Sequence, residues 1–119
     1  MGLYYEDKVG LDYCISVFRE GSFLDEIDYR VSEIFHVLGN GIRLHIVKLL
    51  TEKKWNVSDL SEELDRPLET VSGHLKKLRD QELIRAETQG RHHTYELKRP
   101  ALIEHCLRTR EFLSRDDRD

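Results

Sequence analysis

The sequence predicts a mainly α-helical chain carrying one β-hairpin, in the order α-α-α-α-α-β-β-α. Two observations carry that prediction. Apolar residues recur at helical spacing in five successive segments, and the period then drops to two over residues 83–98 before a helical pattern resumes at Pro100. Composition agrees, because 39% hydrophobic and 35% charged residues with only two prolines describe a folded chain rather than a disordered one. A length of 119 residues suits a single domain, 1–119, with one core.

The first segment, 8–20, places Leu11, Cys14, Ile15 and Phe18 on one stripe and ends at Gly21-Ser22. The second, 26–38, repeats the stripe with Ile27, Val31, Ile34, Phe35 and Leu38 and stops at Gly39-Asn40-Gly41. Residues 42–52 are apolar nearly all round, the pattern of a central core helix. His36 and His45 lie on these two helices and are expected to be satisfied core side chains. A short helix follows, with Ser58 as its expected N-cap and Val57, Leu60 and Leu64 inward, ending near Asp65-Arg66. Pro67 fits the turn or first position of the next helix, 68–81, whose apolar stripe is narrow: Val71, Leu75 and Leu78. Residues 83–98 then read as a hairpin turned by the three-residue loop Gln89-Gly90-Arg91. Pro100 opens a last helix, 100–114, striped by Leu102, Ile103, Cys106, Leu107 and Leu113, and 114–119 reads as a frayed polar tail.

Charge is distributed unevenly. The net formal charge is −4, of which residues 1–37 hold −5 and residues 69–99 hold +2. The basic third quarter also contains His74, His92 and His93, so a phosphate backbone could be met there away from the acidic end. No window approaches the roughly 18 apolar residues of a membrane span, and no basic region followed by an apolar run opens the chain. Two cysteines are too few for a disulfide scaffold, so a reducing cytoplasm is the expected setting. Enzyme chemistry is not expected, since no Gly-rich phosphate loop, nucleophile elbow or paired-carboxylate motif occurs.

A short helix, a tight turn at Pro67 and a second helix with a thin apolar edge form the pattern of a helix-turn-helix. The second helix must anchor by one edge and present small, hydrogen-bonding side chains outward, where they can approach base edges. Thr70, Ser72, Gly73 and His74 suit that approach, and Lys76 and Lys77 lie one turn later, within reach of phosphates. The hairpin would then be a wing with Arg91 and His92 at its tip. The competing reading is a winged-helix module that binds a protein partner without DNA specificity, which the overall −4 charge motivates.

These segments resemble the ArsR/SmtB repressors. The resemblance rests on Leu38-Gly39-Asn40-Gly41-Ile42-Arg43-Leu44-His45-Ile46-Val47-Lys48-Leu49-Leu50, on Thr70-Val71-Ser72-Gly73-His74-Leu75-Lys76-Lys77-Leu78-Arg79, and on the hairpin from Leu83 through Gly90-Arg91 to Leu97. It covers about residues 30–98. It implies a winged helix-turn-helix repressor that dimerises through its first and last helices, 8–20 and 100–114, and lays two recognition helices in successive major grooves of a palindromic operator. It also implies that Ser72 and His74 contact DNA. The chain departs from the family at Gly73, where Gln or Arg is common, so a base contact there is replaced by close backbone approach.

Members of that family release DNA on binding a metal or metalloid ion or on thiol chemistry. The Cys-Val-Cys metal site is absent, its positions being Asn56-Val57-Ser58, and the Asp/His site of the last helix falls on Arg99, Ala101, Phe112 and Arg115. Cys14 and Cys106 remain, on the two helices expected to pair in the dimer. They are read as inert packing, as a thiol sensor, or as part of a thiolate metal or metalloid site with His105 or Asp12.

Overall fold

The structure, a computed structural model, describes residues 24–116. The segment 8–20, with Asp12 and Cys14, lies outside the described residues, as do residues 117–119. The chain divides after His36 into two units. Helix α1, Glu26–Leu38, begins with a reciprocal cap: the Asp28 N–H donates to Asp25 Oδ1 at 2.9 Å and the Asp25 N–H donates to Asp28 Oδ2 at 3.1 Å. Glu26 and Asp28 add negative charge at the positive end of the helix dipole. Of the stripe expected on this helix, Ile27, Val31 and Phe35 are exposed, Ile34 is half-buried and Leu38 is buried. His36 is exposed as well, contrary to the core role the sequence predicted.

From Val37 onward one core assembles. Helix α2, Gly41–Leu50, starts where Asn40 Oδ1 accepts from the Ile42 and Arg43 N–H groups at 3.0 and 3.1 Å. It buries Ile46, Val47, Leu49 and Leu50, as expected of a central helix, but His45 is exposed and not a core side chain. Leu60, Val71, Leu75, Leu78, Leu83 and Ile103 close around it with no exposed area, each worth about 1.5–3 kcal/mol relative to an exposed position.

Helix α3, Val57–Leu64, is capped by Asn56 and not by Ser58. The Asn56 side chain accepts from the Asp59 N–H at 2.7 Å and donates to the Asp59 carboxylate at 3.2 Å. Helix α4, Leu68–Asp80, starts from Pro67, whose carbonyl accepts from the Val71 N–H. Both helices stop with the same pair of bonds. After α3 the Asp65 N–H donates to Glu62 O and the Arg66 N–H to Ser61 O; after α4 the Glu82 N–H donates to Arg79 O and the Leu83 N–H to Leu78 O. Asp65 (φ 53°) and Glu82 (φ 58°) occupy the left-handed position that glycine usually fills.

The hairpin pairs β2, Ile84–Gln89, with β3, His92–Leu97, from Ile84↔Leu97 to Gln89↔His92. The turn is therefore the two residues Gly90-Arg91, one shorter than predicted. Gly90 has φ 65° while Arg91 does not enter that region, the combination a type II′ turn requires. A third strand was not anticipated: β1, Trp55–Asn56, pairs antiparallel with the other edge of β3. The expected last helix is two, α5 (Pro100–Leu107) and α6 (Thr109–Asp116), because at Arg108 the chain tightens, with the Arg108 N–H shared between Glu104 O and His105 O and the Glu111 N–H on Arg108 O. Residues 114–116 are helical rather than frayed, and Leu113 is exposed rather than buried. No helix among the described residues is long and apolar enough to cross a membrane.

Candidate nucleic-acid interface

Helix α4 is seated by one edge. Val71, Leu75 and Leu78 have no exposed area and fall within a quarter of the helix circumference at about 100° per residue. Everything the sequence assigned to DNA on this helix lies on its remaining surface, which has two flanks. Thr70, Gly73, His74 and Lys77 follow at i, i+3, i+4 and i+7 along one; Glu69, Ser72, Lys76 and Asp80 follow at i, i+3, i+7 and i+11 along the other. All are exposed except His74, which is half-buried. Ser72 and His74 therefore diverge from each other, and a common approach to one base step is not built in. Gly73 sits opposite the buried edge, and a Cβ added there would meet nothing within 4 Å.

The flanks differ in charge. Lys76 Nζ bonds Asp80 Oδ2 at 3.1 Å, so its charge is matched one turn away. Lys77 makes no ion pair among the described residues.

His74 is tied to the core. Arg43 Nη1 lies 3.2 Å from His74 Nδ1, while Arg43 Nε donates to Val37 O at 2.6 Å. Arg43 is 9% exposed, and among the described residues no buried side-chain nitrogen or oxygen lacks a partner. Burial, then the charges of Arg43 and Lys77, lowers the His74 imidazole from its ordinary value of 6.5. The native ring therefore holds its proton less tightly than the unfolded one. Its contribution to stability is complete above that ordinary value and is lost as pH falls through the lowered one.

On the wing, the basic residues of the stem are neutralised. Arg85 Nε meets Glu96 Oε2 at 2.7 Å across the Arg85↔Glu96 strand pair, and Lys54 Nζ reaches Glu87 at 3.1 Å and Glu96 at 3.7 Å. The hydrogen bond from Arg85 lowers the Glu96 carboxyl, and the hydrogen bond to Glu87 raises the Lys54 ammonium. These pairs are largely solvated and fix strand register more than they stabilise. At the tip Arg91 and His92 are exposed, and Arg91 makes no ion pair among the described residues. His93 instead meets Thr88 Oγ1 through Nδ1 at 3.1 Å.

The residue that sequence reasoning missed is Arg43. A signal was available, since Arg43 stands in register with Ile46, Val47 and Leu50 on the buried stripe of α2, where a lone charge needs a partner. Of the thiol pair only Cys106 is described. It is half-buried, and burial raises its thiol, which favours the slow-reacting protonated form. It lines an open groove of about 630 Å³ between α2 and the last two helices, with Leu44, Leu107 and Leu113. Among the described residues no three His, Cys, Asp or Glu side chains gather as metal ligands, so Cys106 and His105 form no such set there.

Residues 40–86 match the family described as bacterial regulatory protein, arsR family. The HTH-type transcriptional regulator KmtR of Mycobacterium tuberculosis is 33% identical over 60 residues, which are 50% of this chain; the chain spans 46% of that relative's length. Solved structures are similar as well. The transcriptional regulator HlyU of Vibrio vulnificus has a TM-score of 0.58 at 26% identity, over 65% of this chain and 85% of that one. A homodimeric winged helix-turn-helix DNA-binding domain from Mycobacterium bovis has a TM-score of 0.65 at 20% identity, over 93% and 91%. The buried edge of α4, the two-helix turn before it and the start of the hairpin after it fall within residues 40–86, the stretch that matches the arsR family of bacterial regulatory proteins, and the fold is that of the winged helix-turn-helix structures to which the chain is similar.

Proposed function

We propose that this chain is a sequence-specific DNA-binding transcriptional repressor that acts as a homodimer in the cytoplasm. One observation carries the reading: α4 buries only Val71, Leu75 and Leu78 completely, leaving a flank of Thr70, Gly73, His74 and Lys77 with no carboxylate on it. Such a helix can enter a major groove, with Thr70, Ser72 and His74 near base edges and Lys77 on phosphate, Lys76 contributing less while paired to Asp80. Arg91 and His92 at the wing tip would reach the adjacent minor groove or its phosphates. As in the homodimeric M. bovis domain, a second copy supplies the second half-site. The proposed interface runs through residues 8–20, which lie outside the described residues, and through α5 and α6, where Phe112 and Leu113 are exposed by 61% and 60%.

Selection of duplexes from a random library, followed by fluorescence titration, tests this. Preference for one palindromic sequence is expected, and Ser72→Ala with His74→Ala should abolish it. Binding without preference, or preference indifferent to both substitutions, refutes the reading. Release of DNA by a metal ion or an oxidant acting at Cys14 and Cys106 is a second proposal, against which burial raises the Cys106 thiol and so disfavours the reactive thiolate. Equal affinity of reduced, oxidised and zinc-treated protein would remove it.

A further inference from the structure

We infer that Arg43 is a positioning residue that holds the His74 imidazole in the tautomer protonated on Nε2, so that the ring offers an N–H donor, not an acceptor, to the duplex groove. The inference rests on the reading that α4 binds DNA. A guanidinium carries donors only. At 3.2 Å from Arg43 Nη1, His74 Nδ1 can share a hydrogen bond only by accepting with its lone pair, which leaves the ring proton on Nε2. Arg43 itself is held: its Nε donates to Val37 O at 2.6 Å, its backbone N–H is capped by Asn40 at 3.1 Å, and its side chain is buried.

The outer face of the ring completes the case. Nε2 has no partner among the described residues, yet no buried side-chain nitrogen there lacks one, so Nε2 reaches solvent. His74 itself belongs to the helix flank that carries Thr70 and Lys77. A protonated imidazole would turn a second N–H toward the Arg43 guanidinium from α2, with the Lys77 ammonium of α4 nearby, losing the bond and gaining two repulsions. The neutral donor is therefore the form presented. In a major groove a donor selects purine N7, guanine O6 or thymine O4, whereas the other tautomer would select the amino groups of adenine or cytosine. Arg43, without touching DNA, sets which of these His74 can read.

The experiment uses the full chain labelled with ¹⁵N at histidine. Ring ¹⁵N–¹H correlations of the wild type at neutral pH should show His74 protonated on Nε2, with a midpoint below that of a free histidine. In Arg43→Met both tautomers should appear and the midpoint should rise, and Arg43→Lys, which retains a donor, should restore much of the wild-type pattern. With a duplex selected by the wild type and its scrambled counterpart, Arg43→Met should lower the selected-over-scrambled ratio about tenfold, the worth of one hydrogen bond. In a His74→Phe background it should lower it no further.

A wild-type ring protonated on Nδ1, or an even mixture, overturns the inference and needs no variant to fold. So does a full Arg43→Met loss that persists in the His74→Phe background. If no duplex is selected while the ring is protonated on Nε2, the DNA-binding reading fails and the assignment of the ring by Arg43 stands.

Discussion

Along one flank of α4, Thr70, Gly73, His74 and Lys77 follow one another with no carboxylate, and His74 is braced from beneath by Arg43. Along the other, Glu69, Ser72, Lys76 and Asp80 alternate in sign, and Lys76 is already bonded to Asp80. Both flanks are polar and rise from the same buried edge. The difference is that one has its cation matched within the helix and the other does not, so polarity alone does not say which side can meet a phosphate. Charge cancellation at a distance of one turn does.

The largest test removes what both flanks share. Leu75→Ala empties a fully buried position under the helix and should cost about 2–5 kcal/mol in urea unfolding; a cost under about 1 kcal/mol would mean the edge does not seat the helix. Next, Lys77→Ala should weaken binding to a selected duplex roughly tenfold and flatten the salt slope by about one unit, and Lys76→Ala should do markedly less. Equal losses in salt-dependent titrations would erase the distinction between the flanks. Third, Gly73→Ala should raise stability by about 0.5–1 kcal/mol, because helix propensity improves and the new methyl meets nothing. The same substitution should lower duplex affinity if the backbone at that point lies against DNA, so thermal melts and titrations should move in opposite directions. The smallest effect belongs to Asp80→Asn. It removes an exposed i,i+4 pair worth about 0.3–0.5 kcal/mol, and by releasing Lys76 it should strengthen binding to non-specific duplex at low salt.

Periodicity made the seat of α4 legible, since Val71, Leu75 and Leu78 announce their burial by spacing. The wing was equally plain from the change of period and from Gly90. What stayed hidden follows from physics that spacing does not encode. Strand β1 has two residues and exists only because β3 offers an edge, so no alternation could mark it. The ends of α3 and α4 carry Asp65 and Glu82 where glycine would have signalled a stop, and backbone hydrogen bonds reaching back into each last turn hold that conformation. Asn56 outcompetes Ser58 as a cap because β1 fixes where the helix can begin. The pairing of Arg43 with His74 spans 31 residues, and only the presence of a charge on an apolar stripe hinted that a distant acceptor had to exist. Ser72 and His74 read as neighbours along the chain, yet rotation about the helix axis points them apart.

The pairing of β1 with β3 has one more consequence. Trp55, the single tryptophan of the chain, aligns with Tyr95 in the wing, donates its indole N–H to Leu49 O of α2 at 3.1 Å, and has Lys53 Nζ 4.4 Å from its ring centre. Any shift of the hairpin against the helical core is thereby conveyed to one fluorophore whose emission responds to that hydrogen bond and that cation. The molecule carries an intrinsic optical gauge of wing movement, readable without dye or label.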